Sequence, residues 1–556
     1  MTPMKVWSCR VFAVAFACGV SVAAEVRIEI RVTSTAGNAV YIDRGSKSGM
    51  AAGDRVEFRL ESTELATGVV RSLTANSARV ELDPVSARPL VGTRGEVLVS
   101  DARAIPDFGE RRDDGATPAV DRPPWTYPPE AWDTDRPLLA PAFAITPEER
   151  ESRLRGRAWL RFDGTEDGEG DRTFGLAAVG TDMTLENPFG DGGAVRMDVE
   201  AFTRMGDVAA DDGLYDYDDA RMRIDRLAYQ VGGTEDRPNR FLVGRFLQSG
   251  MPELGLLDGA EWNHRTTGGS QFGAAFGWMP EPFADRSSFQ DLQASVHYRH
   301  AFDPAQRATV GLAYQNTWHE GESDRNLFIA RAEVRPSDRL SLRATAWVDI
   351  YDSGDTIKSS GPELTEAHIS GTWTTPAGDG LGVFALQRRI PEILRDEFLP
   401  RRADDIEGSV LDRQGVNGWT QVGARMRLDA RLEHWSDEDD DGLTGEVGAT
   451  FSDPFGAASS ISGTAQWTDG SYSSGPGARL HARDMFGSTA VGLGWQSFWF
   501  SQKDYGGSDD QISQHSLFGS VDVPLSERWD LSFVADRSIG DDLDSWTVGF
   551  LLQTHF

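Results

Sequence analysis

The last twelve residues, Ser545 to Phe556, read SWTVGFLLQTHF. In an extended chain successive side chains point to opposite faces. Trp546, Val548, Phe550, Leu552 and Phe556 then share one face, interrupted by Thr554, while Ser545, Thr547, Gly549, Leu551, Gln553 and His555 share the other. The segment is therefore a strand with one apolar and one mostly polar side, and it closes the chain on an aromatic residue.

The same alternation recurs upstream. Val195, Met197, Val199 and Ala201 oppose Arg196, Asp198 and Glu200, and Phe328, Ala330, Ala332 and Val334 oppose Arg331, Glu333 and Arg335. Leu340, Leu342, Ala344, Ala346, Val348 and Ile350 oppose Ser341, Arg343, Thr345, Trp347 and Asp349. Val422, Ala424, Met426 and Leu428 oppose Arg425, Arg427 and Asp429. From Arg157 onward such runs, separated by Gly, Asp, Ser and Pro, carry the pattern of an antiparallel transmembrane β-barrel. An Arg or Lys at mid-membrane on the lipid side costs roughly 2 to 4 kcal/mol, so the charged faces are expected to look into a lumen. A soluble sandwich would have to bury its apolar faces through roughly 400 residues, beyond the usual size of one domain. At about 22 residues per strand and connection the barrel is expected to have about 18 strands, within 16 to 22. A barrel that wide holds either water or an inserted segment.

The terminal strand resembles the assembly signal of bacterial outer-membrane barrels, with Trp546, Phe550 and Phe556 as its aromatic residues. The resemblance implies porin-like architecture, insertion by the barrel-assembly machinery, and an outer-membrane surrounding of lipid and lipopolysaccharide. Gly244-Arg245 and Asp258-Gly259-Ala260, joined by LQSGMPELGLL, resemble a strand-loop-strand segment of porin-like barrels. There the resemblance implies that Arg245 and Asp258 point into the channel. Arg388 to Arg402 breaks the alternation for longest and reads either as a folded-in loop narrowing a pore or as an ordinary extracellular loop.

At the other end, Lys5 and Arg10 bracket a charged start, Val11 to Val22 is almost wholly apolar, and Val22-Ala23-Ala24 supplies small residues. This is an export signal, residues 1–24, with cleavage expected after Ala24. Cys18, following Ala15-Phe16-Ala17, offers a lipid-modified start as the other reading, although Phe16 suits it poorly. Cys9 and Cys18 are the two cysteines, so a chain cut there has no thiol for disulfides or metal. The formal net charge of −32 argues against nucleic acid as a partner.

Residues 25–100 alternate short strand-like runs with turns and are expected to form a small all-β domain in the periplasm. Val40 to Val56, VYIDRGSKSGMAAGDRV, places Gly45, Gly49 and Gly53 at expected tight turns. That stretch resembles the glycine-aspartate turn of SH3-like barrels in bacterial envelope proteins, which implies contact with another envelope component. Residues 101–156 form a linker in which Pro123-Pro124 and Pro128-Pro129 bias the chain toward polyproline geometry. At ~3.1 Å per residue it would reach over roughly 100 Å. Residues 157–556 are the barrel.

Little else in the sequence points to chemistry. Asp437, Asp439, Asp441 and Gly442 match the opening of a calcium loop, but the twelfth position is Gly448 instead of a bidentate glutamate, and a solvated acidic turn is the plainer reading. His515-Ser516 and the pair His297 and His300 do not form a nucleophile-base or metal-ligand pattern. No cofactor and no enzyme activity are expected. The leading expectation is a passive porin-like channel for small hydrophilic solutes; the competing one is an envelope-anchoring protein whose barrel is filled and whose N-terminal domain and linker bind a periplasmic partner. A surface enzyme or receptor is third.

Overall fold

The computed structural model describes residues 25–36, 39–60, 63–73, 77–82, 89, 93–100, 150–168, 172–206, 220–234, 237–281, 287–303, 306–337, 339–395, 403–438, 440–456, 458–470, 473–503, 509–541 and 543–556. The expected export signal and nearly all of the linker lie outside these residues.

Six strands near the N-terminus close into a small barrel: β1 (Glu25–Ala36), β2 (Ala39–Ile42), β3 (Arg55–Leu60), β4 (Thr63–Leu73), β5 (Ala78–Leu82) and β6 (Arg94–Ser100), in the order β1-β2-β5-β4-β3-β6. Its core is β-branched and aromatic, with Val32, Ile42, Val56, Phe58, Val80 and Val97 almost fully buried. Gly49 (φ 80°) and Gly53 (φ 94°) occupy the left-handed conformation their turns require. Gly45 does not: with φ −144° it is extended and precedes a short 3-10 turn at Ser46–Ser48.

The remaining strands, β7 (Arg153–Asp167) through β28 (Leu543–His555), form a second closed ring in which every neighbour is antiparallel. The ring has 22 strands, at the top of the expected range and above the expected 18. Connections at the end of the ring that carries both termini are short, as at Gly487-Ser488 between β24 (Ser473–Phe486) and β25 (Thr489–Lys503), so fewer residues are spent per strand. One expected strand is in fact two. β20 (Leu411–Val422) ends and β21 (Met426–Ser436) begins around Gly423, whose φ is 66°, so Arg425 lies exposed in a turn and not in the lumen.

The ring's outward positions are apolar and open to the surroundings. Val179, Phe276, Leu312, Val447, Leu480 and Leu493, spread round the circumference, are each more than half exposed. Large apolar side chains exposed in this way all round a sheet mark a surface suited to apolar surroundings. Among the described residues no helix is long and apolar enough to cross a membrane.

The small barrel lies inside the large one. β2 and β5 are buried along their whole length, on both faces. One face of each packs into the small barrel's own core; the other, carrying Tyr41, Arg79 and Glu81, meets the inner wall of the ring. The sequence expectation of a domain standing apart from the barrel is thereby corrected: alternation that reads as a solvated face is a face turned to charged walls.

Candidate functional site: the lumen and the small barrel inside it

On the strands that hold the small barrel, the inward positions are largely arginine and carboxylate, and the small barrel answers them in kind. Arg31 on β1 donates to Asp198 on β9 (Ala194–Gly206) and to Asp225 on β10 (Ala220–Gly232), both at 2.5 Å, with its guanidinium 5.7 Å from the Trp159 ring. Asp225 reaches Arg31 because β10 carries a bulge. The register runs Ile224↔Val199 and then Arg226↔Asp198, leaving Asp225 as the extra residue. A bulge of this kind re-aims one side chain. Beside it, Glu200 is fully buried and accepts from Trp159 Nε1 (3.1 Å), Arg161 (3.4 Å) and Arg223 (3.2 Å). Arg157 donates to Asp43 of the small barrel from β7.

The opposite side of the small barrel is held more loosely. Glu57 accepts from Arg343 on β17 (Leu340–Tyr351) at 3.3 Å. Arg71 pairs with its own domain's Glu81 at 2.7 Å and reaches Glu446 on β22 (Asp441–Ser452) at 3.2 Å and Asp429 at 3.7 Å. Arg55 lies 5.7 Å from the ring of Phe384 on β19 (Gly380–Arg388). Arg427 closes on the backbone at Gly53, where an added Cβ would come within 2.5 Å of the guanidinium. Toward β24 the contacts tighten again: Glu81 accepts from Arg479, Arg79 stacks 4.7 Å from Phe518 on β26 (Asp509–Pro524), and Tyr41 packs on Val534 of β27 (Trp529–Gly540). Among the described residues on that side lie gaps of about 10 and 20 Å³, each room for about one water molecule.

A second element enters the lumen from the wall itself. Between β11 (Asn239–Leu247) and β12 (Leu256–Arg265) the chain folds inward, and Met251 and Leu254 pack on Ala313, Leu327, Ile329 and Trp347. Glu253 accepts from Arg331 at 2.7 Å, Arg331 also pairs with Glu333, and Glu333 lies 3.6 Å from Arg343. Asp349 is buried and holds Arg325 at 2.5 Å and the Thr365 hydroxyl. The Arg388–Arg402 break folds in as well, as far as it is described: Arg395 is buried, donates to the Pro280 carbonyl at 3.0 Å and lies 3.4 Å from Asp291.

The structure thus brings Asp198, Glu200, Arg331, Glu333, Arg343, Asp349 and Arg427 together on inward faces, with Arg196 on the same face of β9 as Asp198. Arg245 and Asp258 are placed differently. They pair with each other at 2.5 Å across β11 and β12, on the face shared by the exposed Phe241, Val243 and Trp262, and so look outward. Arg245 also donates to the Ile224 carbonyl at 2.8 Å, beyond the last β10–β11 pair. Asp437 and Asp440 accept backbone N–H groups within their own turn; Asp441 starts β22 and Asp439 lies outside the described residues. Among the described residues no group of three or more potential metal ligands converges. Ser497 Oγ and His515 Nδ1 are 2.6 Å apart on the outward face, and Ser497 is fully buried. Trp546 faces outward with Arg537 4.9 Å from its ring, and Phe550 and Phe556 share that face.

Arg31, Asp43, Glu57, Arg71 and Glu81 were not singled out from the sequence, because charges alternating with Val and Ile look the same whether they face water or a wall. Asp225 carried no signal at all.

No family model matches the chain, and no curated protein matches its sequence. Among solved structures, the P pilus usher (PapC) translocation pore aligns with 72% of this chain and 99% of that chain, at 9% identity and a TM-score of 0.42. OccK3 (OpdO) of Pseudomonas aeruginosa aligns over 72% of this chain and 95% of its own, at 11% identity and a TM-score of 0.35. OccAB3 of Acinetobacter baumannii aligns over 73% of this chain and 99% of its own, at 8% identity and a TM-score of 0.35.

Proposed function

We propose that the chain is an outer-membrane channel for small hydrophilic solutes, held closed by its own N-terminal barrel. The carrying observation is how that barrel is attached. It has a complete apolar core of its own and meets the wall mainly through ion pairs and cation–π contacts, with Tyr41 against Val534 as the one buried apolar patch seen between them among the described residues. Two bodies meant to stay fused would share a hydrophobic core; a charge-paired contact can be exchanged for water. The outward apolar belt supplies the membrane-facing surface, and the end carrying both termini, with the short turns, faces the periplasm.

The filled lumen also suits the second reading, an envelope-anchoring protein in which residues 25–100 and the linker serve a periplasmic partner. Planar-bilayer recordings separate the two. The full chain is expected to show rare openings, and the chain lacking residues 25–100 a large, steady conductance. Silence from both would remove the channel reading.

A further inference from the structure

The attachment of the small barrel is lopsided, and the lopsidedness specifies how it moves. On the arc from β24 through β28 and β7 to β10 the contacts are close and dry. Arg31 and Asp225 have side chains 6% and 1% exposed, Arg157 and Asp43 are 6% and 4% exposed, and Arg479 and Glu81 are 8% and 10% exposed. On the arc from β17 to β22 the pairs are longer and wetter: Arg343 and Glu57 are both 13% exposed at 3.3 Å, and Arg71 and Glu446 are 19% and 13% exposed at 3.2 Å. Between these arcs, the inward segment at Met251–Leu254 packs on the wall and not on the small barrel's core.

We infer that the small barrel opens the channel by pivoting, with the Arg31 and Asp43 pairs as the hinge and the Glu57 and Arg71 pairs as the side that swings free. This rests on the gated-channel reading and adds a mechanism to it. Solute then passes through a crescent along β17 to β22 and past the Glu253–Arg331 pair, while the domain remains within the ring. Salt screens an ion pair more strongly the more it is exposed, and the partly buried pairs of the swinging side are the more exposed of the two sets. Raising ionic strength therefore loosens the swinging side before the hinge, and the frequency of openings rises with salt.

Crosslinking tests the pivot in the full chain with Cys9 and Cys18 replaced by serine. One variant carries Glu57→Cys with Arg343→Cys on the swinging side, the other Asp43→Cys with Arg157→Cys on the hinge side. Each is recorded at high salt before and after reaction with a short bismaleimide. Heat-modifiable migration in detergent gels first establishes that each barrel has formed. Crosslinking the swinging side is expected to lower the opening frequency about tenfold or more, a shift of one logarithmic unit in the closed-to-open equilibrium. Crosslinking the hinge side is expected to leave that variant's openings within about twofold of their frequency before reaction. Equal suppression by both crosslinks would overturn the pivot and show that the small barrel leaves as one body, with the channel reading intact. Suppression by neither, with steady current from the chain lacking residues 25–100, would also overturn the pivot. Silence from that shortened chain would instead overturn the channel reading on which the pivot stands.

Discussion

Phe556 and Gly156 exchange two backbone hydrogen bonds, 3.0 Å from the Phe556 N–H to the Gly156 carbonyl and 2.9 Å in return, and these end the seam at which β28 closes on β7. In lipid an open strand edge leaves backbone groups unsatisfied at several kcal/mol each, so this seam is a condition for the ring to exist. The aromatic ring of Phe556 is exposed and contributes little to that closure.

Deleting Phe556 removes its assembly signal together with this backbone pair, whereas Phe556→Ala keeps the pair and is expected to lower the yield of barrel in the outer membrane more than it lowers the stability of the finished barrel. One interfacial ring is worth at most about 1.5 to 3 kcal/mol even when fully buried. Membrane yield in cells and refolding into detergent, measured side by side, decide the matter. Unchanged yield in cells would refute a role in assembly.

Replacing Arg31 by alanine removes the cation that Asp198 and Asp225 share, and leaves Asp225 with Arg223 at 3.2 Å. Breaking a buried pair in this way costs about 3 to 5 kcal/mol. The expected outcome is more frequent channel opening and earlier protease cleavage within residues 25–100, with the migration of the large barrel in gels unchanged. An Asp225→Asn variant, which keeps the shape and loses the charge, should fall between wild type and Arg31→Ala.

The small barrel has its own core, so residues 25–100 expressed alone are expected to unfold cooperatively in urea. Phe58→Ala should destabilise that fragment by about 3 to 5 kcal/mol, the usual cost of truncating a buried phenylalanine. A fragment without a cooperative transition would mean that the domain folds only against the wall.

Glu392 supplies a pH dependence at the far end of the ring. Burial opposes its charge, yet the N–H groups of Lys358, Thr356 and Ile357 outweigh that and hold its carboxyl below the usual range. A lowered folded pKa stabilises at neutral pH and loses its effect as pH falls through that value. Amide protection at Ile357 and Lys358 is expected to drop under acid conditions and to be flat with pH in Glu392→Gln. Protection that persists in acid would show that Glu392 does not hold this loop.

The large ring was legible because most of its strands set an apolar outward face against a polar inward one, as Val195 to Ala201 do. The count was less so: Gly423 splits what reads as a continuous alternation, and nothing in Val422–Leu428 announces a turn except that glycine. Arg245 shows the limit for site residues. Its place after Phe241 and Val243 already set it on their outward face, and the porin-like phrase around it pointed the other way. The inside of the lumen was least legible, because a strand such as ARVEL at β5 has the same alternation in water as against Arg479 and Phe518. Which of the two it faces depends on residues some 400 positions away.

The double burial of β5 has a thermodynamic corollary. Glu81 is satisfied by Arg71 from within its own domain and by Arg479 from the ring, so it belongs to two folded bodies at once. Coupling between two sites is reciprocal by necessity. Whatever free energy the ring lends to the small barrel's folding, the small barrel returns to the ring, as a mandrel steadies the tube shaped around it. An emptied ring is then a less stable object than the filled one.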